Sequence, residues 1–243
     1  MLTIFDILFP RRCPVCDRPV PVKDGLICKE CRTKLIYTKE PFCMRCGKPL
    51  QGYGRSSLAA GSLHREFCFD CTHRFHLYDR GICLYRYDSV RRTVYRFKYG
   101  GRQEYAAFLG QEMAQRLGKQ LLAWKPDALV PVPLHPVRLK KRGYNQAALL
   151  ARELGRRLEI PVVEDWLIRE KNTAPLKMTD GRKRQKSLKN AFKIVQNELK
   201  LKTIIIIDDI YTTGSTVDAI AALCRQHGVE KVYFAALSVG SGM

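Results

Sequence analysis

Two groups of residues in this chain have types and spacings suited to chemistry. The first is a set of eight cysteines in four CxxC pairs: Cys13/Cys16, Cys28/Cys31, Cys43/Cys46 and Cys68/Cys71. Thiolates two residues apart let one tight turn present two sulfurs to a Zn²⁺ ion, and two such turns complete a tetrahedron. The second is "IIIIDDIYTTGST" at 204–216, where four isoleucines run into Asp208 and Asp209 and then into a hydroxyl-rich loop with one glycine. Adjacent carboxylates repel, so a pair at the end of an apolar run points to something that uses both. The bland alternative is that the acids only cap and end the element.

An internal repeat suggests how the cysteines group. "CPVCDRPV" (13–20) resembles "CMRCGKPL" (43–50), and "LICKECRTKL" (26–35) resembles "EFCFDCTHRF" (66–75). Sequential pairing follows: Cys13, Cys16, Cys28 and Cys31 for one zinc, and Cys43, Cys46, Cys68 and Cys71 for the other. The spacers of 11 and 21 residues fall just outside the usual range of about 15–20, and an interleaved cross-brace is the alternative. His73 and His76 follow the last pair and read as surface imidazoles, because four thiolates already close each site. Such closed sites are structural and keep no open position for catalysis. Cys83 and Cys224 lack a CxxC partner and read as buried small hydrophobes.

The elements that must position the acid pair follow from hydropathy patterning. Residues 81–88 alternate and read as a strand. Residues 90–122 read as two helices around a Gly-Gly break, 127–133 as a strand stopped by prolines, and 145–158 as a helix. Residues 202–208 lack alternation, as a central parallel strand covered on both faces does. A helix over 215–228 and a strand over 231–239 complete the series. Strands alternating with helices imply an α/β fold, a doubly wound parallel sheet. The cysteine-rich part (1–78) precedes it as a small domain with two zinc sites, leaving 79–243 for the α/β domain.

In open parallel sheets, ligands collect at the carboxyl ends of the strands. Asp208 and Asp209 are expected to leave that end of the central strand. Thr212, Thr213, Gly214, Ser215 and Thr216 then aim backbone N–H groups and hydroxyls at one spot before a helix N-terminus, an arrangement suited to a phosphate. The lysine-bearing GxxxxGK[ST] loop and the GxGxxG dinucleotide fingerprint are both missing. A phosphate site beside paired carboxylates suggests a sugar phosphate.

Composition bounds the partners. The chain has 243 residues, 46% of them hydrophobic, and a formal charge of +20. Eight zinc-bound thiolates offset part of that charge and leave the chain strongly basic, which favours polyanions or anionic small molecules. Its longest apolar runs fall far short of the ~20 residues of a membrane helix. Residues 1–9 lack a basic n-region and a cleavage site, so no signal peptide and a cytoplasmic location are expected. The excess charge concentrates at 91–102, 138–157 and 169–193. Tyr95, Phe97, Tyr99 and Tyr144 interleave with the first two segments, as in surfaces that track a phosphate backbone and stack unpaired bases; the alternative is that these rings are core.

Residues 204–216 resemble the phosphoribosyl-pyrophosphate (PRPP) motif of type I phosphoribosyltransferases at every position. The resemblance implies that Asp208 and Asp209 hold the ribose 2′- and 3′-hydroxyls and assist Mg²⁺, while Thr212, Thr213, Gly214, Ser215 and Thr216 wrap the 5′-phosphate. "VPVPLHPVRLKKRGYNQAALLAREL" (130–154), "FPRRCPVC" near the start and "FKYGGR" (97–102) together resemble the ComF family of late-competence proteins. That likeness implies a double zinc ribbon with two structural Zn²⁺ before a phosphoribosyltransferase-like domain. It also implies a role in DNA uptake or natural transformation, single-stranded DNA as partner, PRPP or a nucleotide as ligand, and proximity to a ComFA-type helicase-like ATPase.

In a transferase reading the loop after Val132 holds pyrophosphate, with Arg138, Lys140, Lys141 and Arg142 neutralising it. Lys98, Arg102 and Tyr144 join them as pyrophosphate- or DNA-binding candidates. Residues 177–190 read as a flexible lid, although Leu176 and Ser187 depart from the family's glutamine and asparagine. No general base stands out. Three functions follow: a single-stranded-DNA-binding uptake protein with a PRPP pocket, an active phosphoribosyltransferase with an unknown acceptor, and a zinc-scaffolded adaptor with a vestigial pocket.

Overall fold

The computed structural model describes residues 10–21, 25–50, 66–171, 190–195 and 199–240. The lid segment with Leu176 and Ser187, and most of the third basic segment, lie outside these residues, as do residues 1–9. In chain order the elements are α1 (Lys29–Arg32), α2 (Phe69–His73), β1 (Arg80–Arg86), α3 (Tyr87–Tyr99), α4 (Tyr105–Ala123), β2 (Ala128–Pro131), α5 (Pro136–Arg142), α6 (Gln146–Leu158), β3 (Leu167–Arg169), β4 (Phe192–Ile194), β5 (Thr203–Tyr211), α7 (Ser215–Gln226) and β6 (Lys231–Val239). No helix among them is long and apolar enough to cross a membrane.

Four strands form one sheet in the order β1-β6-β5-β2, and every pairing in it is parallel. β5 is central because it can be apolar on both faces. Ile204 and Ile206 join the cluster under α7 with Val217, Ile220 and Cys224. Ile205 and Ile207 join the opposite cluster with Leu109 and Met113 of α4 and Leu150 and Leu154 of α6. All four isoleucines are fully buried, each contributing about 2 kcal/mol of transfer free energy. Cys83 and Cys224 are also buried, as small apolar side chains.

Both edges of the sheet are covered, which protects unpaired strand backbone. At the β1 edge, Thr38 N–H donates to the Leu84 carbonyl (2.9 Å) and Arg86 N–H to the Ile36 carbonyl (2.9 Å). At the β2 edge, Leu129 N–H donates to Pro161 (2.8 Å) and Val163 N–H to Leu129 (2.9 Å). The two cysteine-rich halves therefore straddle the β1 edge. Cys13 and Cys31 belong to the core on the α3/α4 face, and Cys43 and Cys46 to the core on the α7 face. Gly47 lets the second half approach β1 closely, since a Cβ there would stand 2.6 Å from the Gly81 carbonyl oxygen.

Two expectations need correction. The central strand does not end at Asp208; β5 continues through Asp209 to Tyr211, paired with β6 as far as Val239. The basic segment after Val132 is not an open loop but the short helix α5. It begins with Pro136 at its first position, has His135 as N-cap, and closes at Gly143, φ 80°, where an L side chain would be strained. Polar spacing concealed that helix, because none of its residues is buried.

Candidate functional site

The two Cys₄ groups are the first part of the site. In each sequential set the four sulfurs lie within 4.8 Å of one another. Cys16 Sγ and Cys28 Sγ are 3.8 Å apart, and Cys46 Sγ and Cys68 Sγ 3.6 Å. A tetrahedral zinc with ordinary Zn–S bonds needs sulfur edges of about 3.8 Å, so the donor sets fit that ion. Four sulfurs per site make these structural centres. The interleaved pairing is not what the fold brings together.

The second part is the end of β5. Successive side chains of a strand point to opposite faces, so the acids diverge. Asp209 follows Ile205 and Ile207 toward α3, where its Oδ2 meets Lys98 Nζ at 2.7 Å. Asp208 follows Ile204 and Ile206, and its Oδ1 accepts from the Asp209 N–H at 2.8 Å. Burial, reinforced by the Asp209 carboxylate, pushes the Asp208 carboxyl up to about 7 against the opposing effect of Lys98. Burial, then the charge of Arg138, lowers the Arg169 guanidinium, which Asp208 draws back up. Burial and the neighbouring Arg142 lower Arg138 in the same way. Lys98 of α3 thus pairs with Asp209, Arg169 of β3 feels the charge of Asp208, and Arg138 of α5 stands close enough to Arg169 to lower it.

Beyond the acids, Gly214 (φ 78°) is the N-cap of α7. A Cβ on it would stand 2.9 Å from the Tyr211 hydroxyl and 3.0 Å from Cε1 of His76, so only glycine fits without displacement. Thr213 Oγ1 and Ser215 Oγ are 3.0 Å apart. The loop offers a helix N-terminus and hydroxyls on one side of a strand end that offers carboxylates. That combination is chemically suited to an anion beside hydroxyl groups.

The tentative residues separate. Lys98, Arg138 and Arg142 lie at this end of the sheet, with Arg142 Nη1 donating to Gln146 Oε1 (2.9 Å). Lys140 and Lys141 are exposed on α5. Arg102 faces the first cysteine knuckle instead, its Nε 3.1 Å from Asp17 Oδ1. Tyr144 is half-buried, and its hydroxyl donates to the Phe97 carbonyl at 2.8 Å. Phe97 is core, whereas Tyr95 (64% exposed) and Tyr99 (55%) are open to solvent. Their rings lie 5.2 Å apart, and the Arg142 guanidinium sits 4.8 Å over Tyr99. Beside them, a cleft of about 860 Å³ opens between the segment after β2 and β3, with His135, Tyr144, Ile168 and Arg169 on its walls.

His76 corrects the sequence reading: it is buried, 3% exposed, with Nδ1 2.9 Å from Asp218 Oδ2. A histidine five residues beyond a zinc knuckle looks like solvent-facing surface until the knuckle is docked on α7. Arg169 was also invisible as a site residue, because its proximity to Asp208 depends on the small β3–β4 sheet.

The comparisons with known proteins agree with this geometry. Residues 4–72 match the double zinc ribbon domain and residues 103–240 the phosphoribosyl transferase domain. Competence protein F of Haemophilus influenzae is 30% identical over 92% of this chain and 95% of its own length. The DNA utilization protein YhgH of Escherichia coli K12 is 30% identical over 96% of each chain. Competence protein ComFC of Bacillus subtilis is 32% identical over 84% of this chain and 80% of its own. The fold is that of a zinc-ribbon protein with a phosphoribosyltransferase-type α/β domain. The chain belongs to the ComF family of competence proteins.

Proposed function

We propose that this chain is a DNA-uptake protein that binds single-stranded DNA on its basic aromatic face and holds a phosphoribosyl group at the end of β5. The relatives' names, competence and DNA utilization proteins, support the first half. The observation that carries the reading is the junction of the two surfaces at Lys98. This lysine pairs with Asp209 of the acid pair, and it sits on the helix that exposes Tyr95 and Tyr99. Asp208 and Asp209 offer hard oxygen donors that fit Mg²⁺ and ribose hydroxyls, and residues 212–216 offer donors to a 5′-phosphate. A cation bound there would offset both the burial and the Asp209 charge that raise the Asp208 carboxyl.

Tyr95 and Tyr99 provide faces for unpaired bases, and Arg91, Arg92, Arg138 and Arg142 provide charge for the backbone between them. Calorimetry with PRPP and Mg²⁺, and oligonucleotide binding titrated against salt, test the two halves separately. No heat with PRPP would leave an adaptor with a vestigial pocket. Affinity for oligonucleotides that does not fall with salt would overturn the phosphate-tracking surface.

The cleft beside Arg169 favours a second reading, in which an acceptor enters there and the chain is an active transferase. Release of pyrophosphate from PRPP and Mg²⁺ with a panel of bases or oligonucleotides tests it. Turnover no greater than that of an Asp208→Asn/Asp209→Asn variant would sink it.

A further inference from the structure

The two cysteine knuckles touch different functional segments. We infer that they divide the work of positioning: the second fixes the phosphate loop 212–216 and the first fixes the α3–α4 turn of the basic face. The functional arm of this inference rests on the reading above; its structural arm does not.

The second knuckle reaches the loop through residues 76–78. Arg45, inside the Cys43–Cys46 turn, donates from Nη1 to the carbonyls of His76 (3.2 Å) and Tyr78 (3.4 Å). That segment then takes both carboxylate oxygens of Asp218 in the first turn of α7. His76 Nδ1 lies 2.9 Å from Oδ2, and the Leu77 N–H donates to Oδ1 at 2.9 Å. The His76 ring backs Gly214 and stacks on Tyr78 at 4.8 Å. The Tyr78 and Tyr211 hydroxyls are 2.7 Å apart in the interior. Lys48, also buried, ion-pairs with Asp70 at 2.5 Å and stands 5.7 Å from the Tyr211 ring centre. The zinc turn is thus linked by packed, hydrogen-bonded groups to both flanks of the loop. His76 Nε2 is buried and has no hydrogen-bond partner among the described residues.

The first knuckle reaches the other segment. Asp17, next to Cys16, accepts from the Tyr105 hydroxyl at 2.6 Å and from Arg102 Nη2 at 3.1 Å. The Val15 carbonyl accepts from Arg96 Nη1 at 3.0 Å. These contacts fall on both sides of Gly100–Gly101, the break that ends α3 beside Lys98 and Tyr99. A turn with two glycines has little stiffness of its own, so an outside clasp sets the direction of α3's last turn.

Segment-resolved hydrogen exchange on the zinc-loaded full chain tests the division. Cys68→Ser and His76→Ala are expected to speed exchange of amides 211–217 at least tenfold and leave 96–105 unchanged. Cys28→Ser and Asp17→Asn should do the reverse. Should the cysteine variants fail to fold, His76→Ala and Asp17→Asn decide the matter, because they keep all eight thiols. Equal loosening of both segments by either variant, or loosening of neither, overturns the inference. In the functional arm, ribose 5-phosphate with Mg²⁺ should bind at least tenfold more weakly to His76→Ala and unchanged to Asp17→Asn. Oligo-dT should show the opposite pattern. If the wild-type chain takes up no ribose 5-phosphate, the pocket reading fails on its own, and the exchange pattern still decides the knuckles.

Discussion

Replacing Asp208 by asparagine should stabilise the protein, and the gain should grow with pH. In the folded chain partial burial and the Asp209 charge push the Asp208 carboxyl up to about 7; in the unfolded chain its reference value is about 3.9. Between these values the folded state keeps a proton that the unfolded state has released, so stability falls as pH rises through the window and levels off above about 7. At about 1.4 kcal/mol per pH unit, the full cost at high pH is about 4 kcal/mol. Solvent reaching the half-buried carboxyl reduces it, and about 2–3 kcal/mol is expected. Asparagine keeps the shape and the acceptor for the Asp209 N–H but has no charge to desolvate. The assay is denaturant unfolding of zinc-loaded, Mg²⁺-free wild type and Asp208→Asn at pH 5.5, 7 and 8.5. The difference should widen by about 1–2 kcal/mol across that range. A difference that is constant or shrinks as pH rises would refute a burial-raised carboxyl. Stability gained in this way is expected to cost ligand affinity, since the strain is relieved without the ligand.

Gly214→Ala places a Cβ against Tyr211 and His76 at a positive φ; about 1–2 kcal/mol of backbone strain and a displaced loop should abolish sugar-phosphate binding in calorimetry while the zinc content stays at two. Tyr95→Ala and Tyr99→Ala should each weaken oligo-dT binding by about 1–3 kcal/mol, read by fluorescence anisotropy, with the salt slope unchanged because no phosphate contact is lost. Asn145→Ala removes the α6 cap, which accepts from the Ala147 N–H at 3.1 Å, and the Nδ2 bond to the Val132 carbonyl at 3.0 Å. It should cost about 1–2 kcal/mol in chemical denaturation.

The parallel α/β core and the two cysteine sets were legible because they depend on local pattern. An all-apolar run such as Ile204–Ile207 can only be satisfied between two covered faces, and CxxC spacing leaves the thiols few arrangements. Boundaries were less legible. The strand ran on past Asp208 because β6 continued to pair with it, and backbone pairing outweighed the poor strand propensity of two acids. α5 escaped notice because it buries nothing, and a helix without an apolar stripe has no period to read.

The sequence by itself determined the strand–helix series, the thiol groups and the order of acids, hydroxyls and glycine at 208–216, because each is a matter of neighbours along the chain. Only the tertiary structure decided which residues face that segment. Lys98 reaches Asp209 across 111 positions, His76 reaches Asp218 across 142, and Arg102 turns to Asp17 rather than to the acids. Such pairings depend on how the helices and the two cysteine knuckles pack on the faces of one sheet. Charge and burial at that distance are set by packing, which no local spacing encodes.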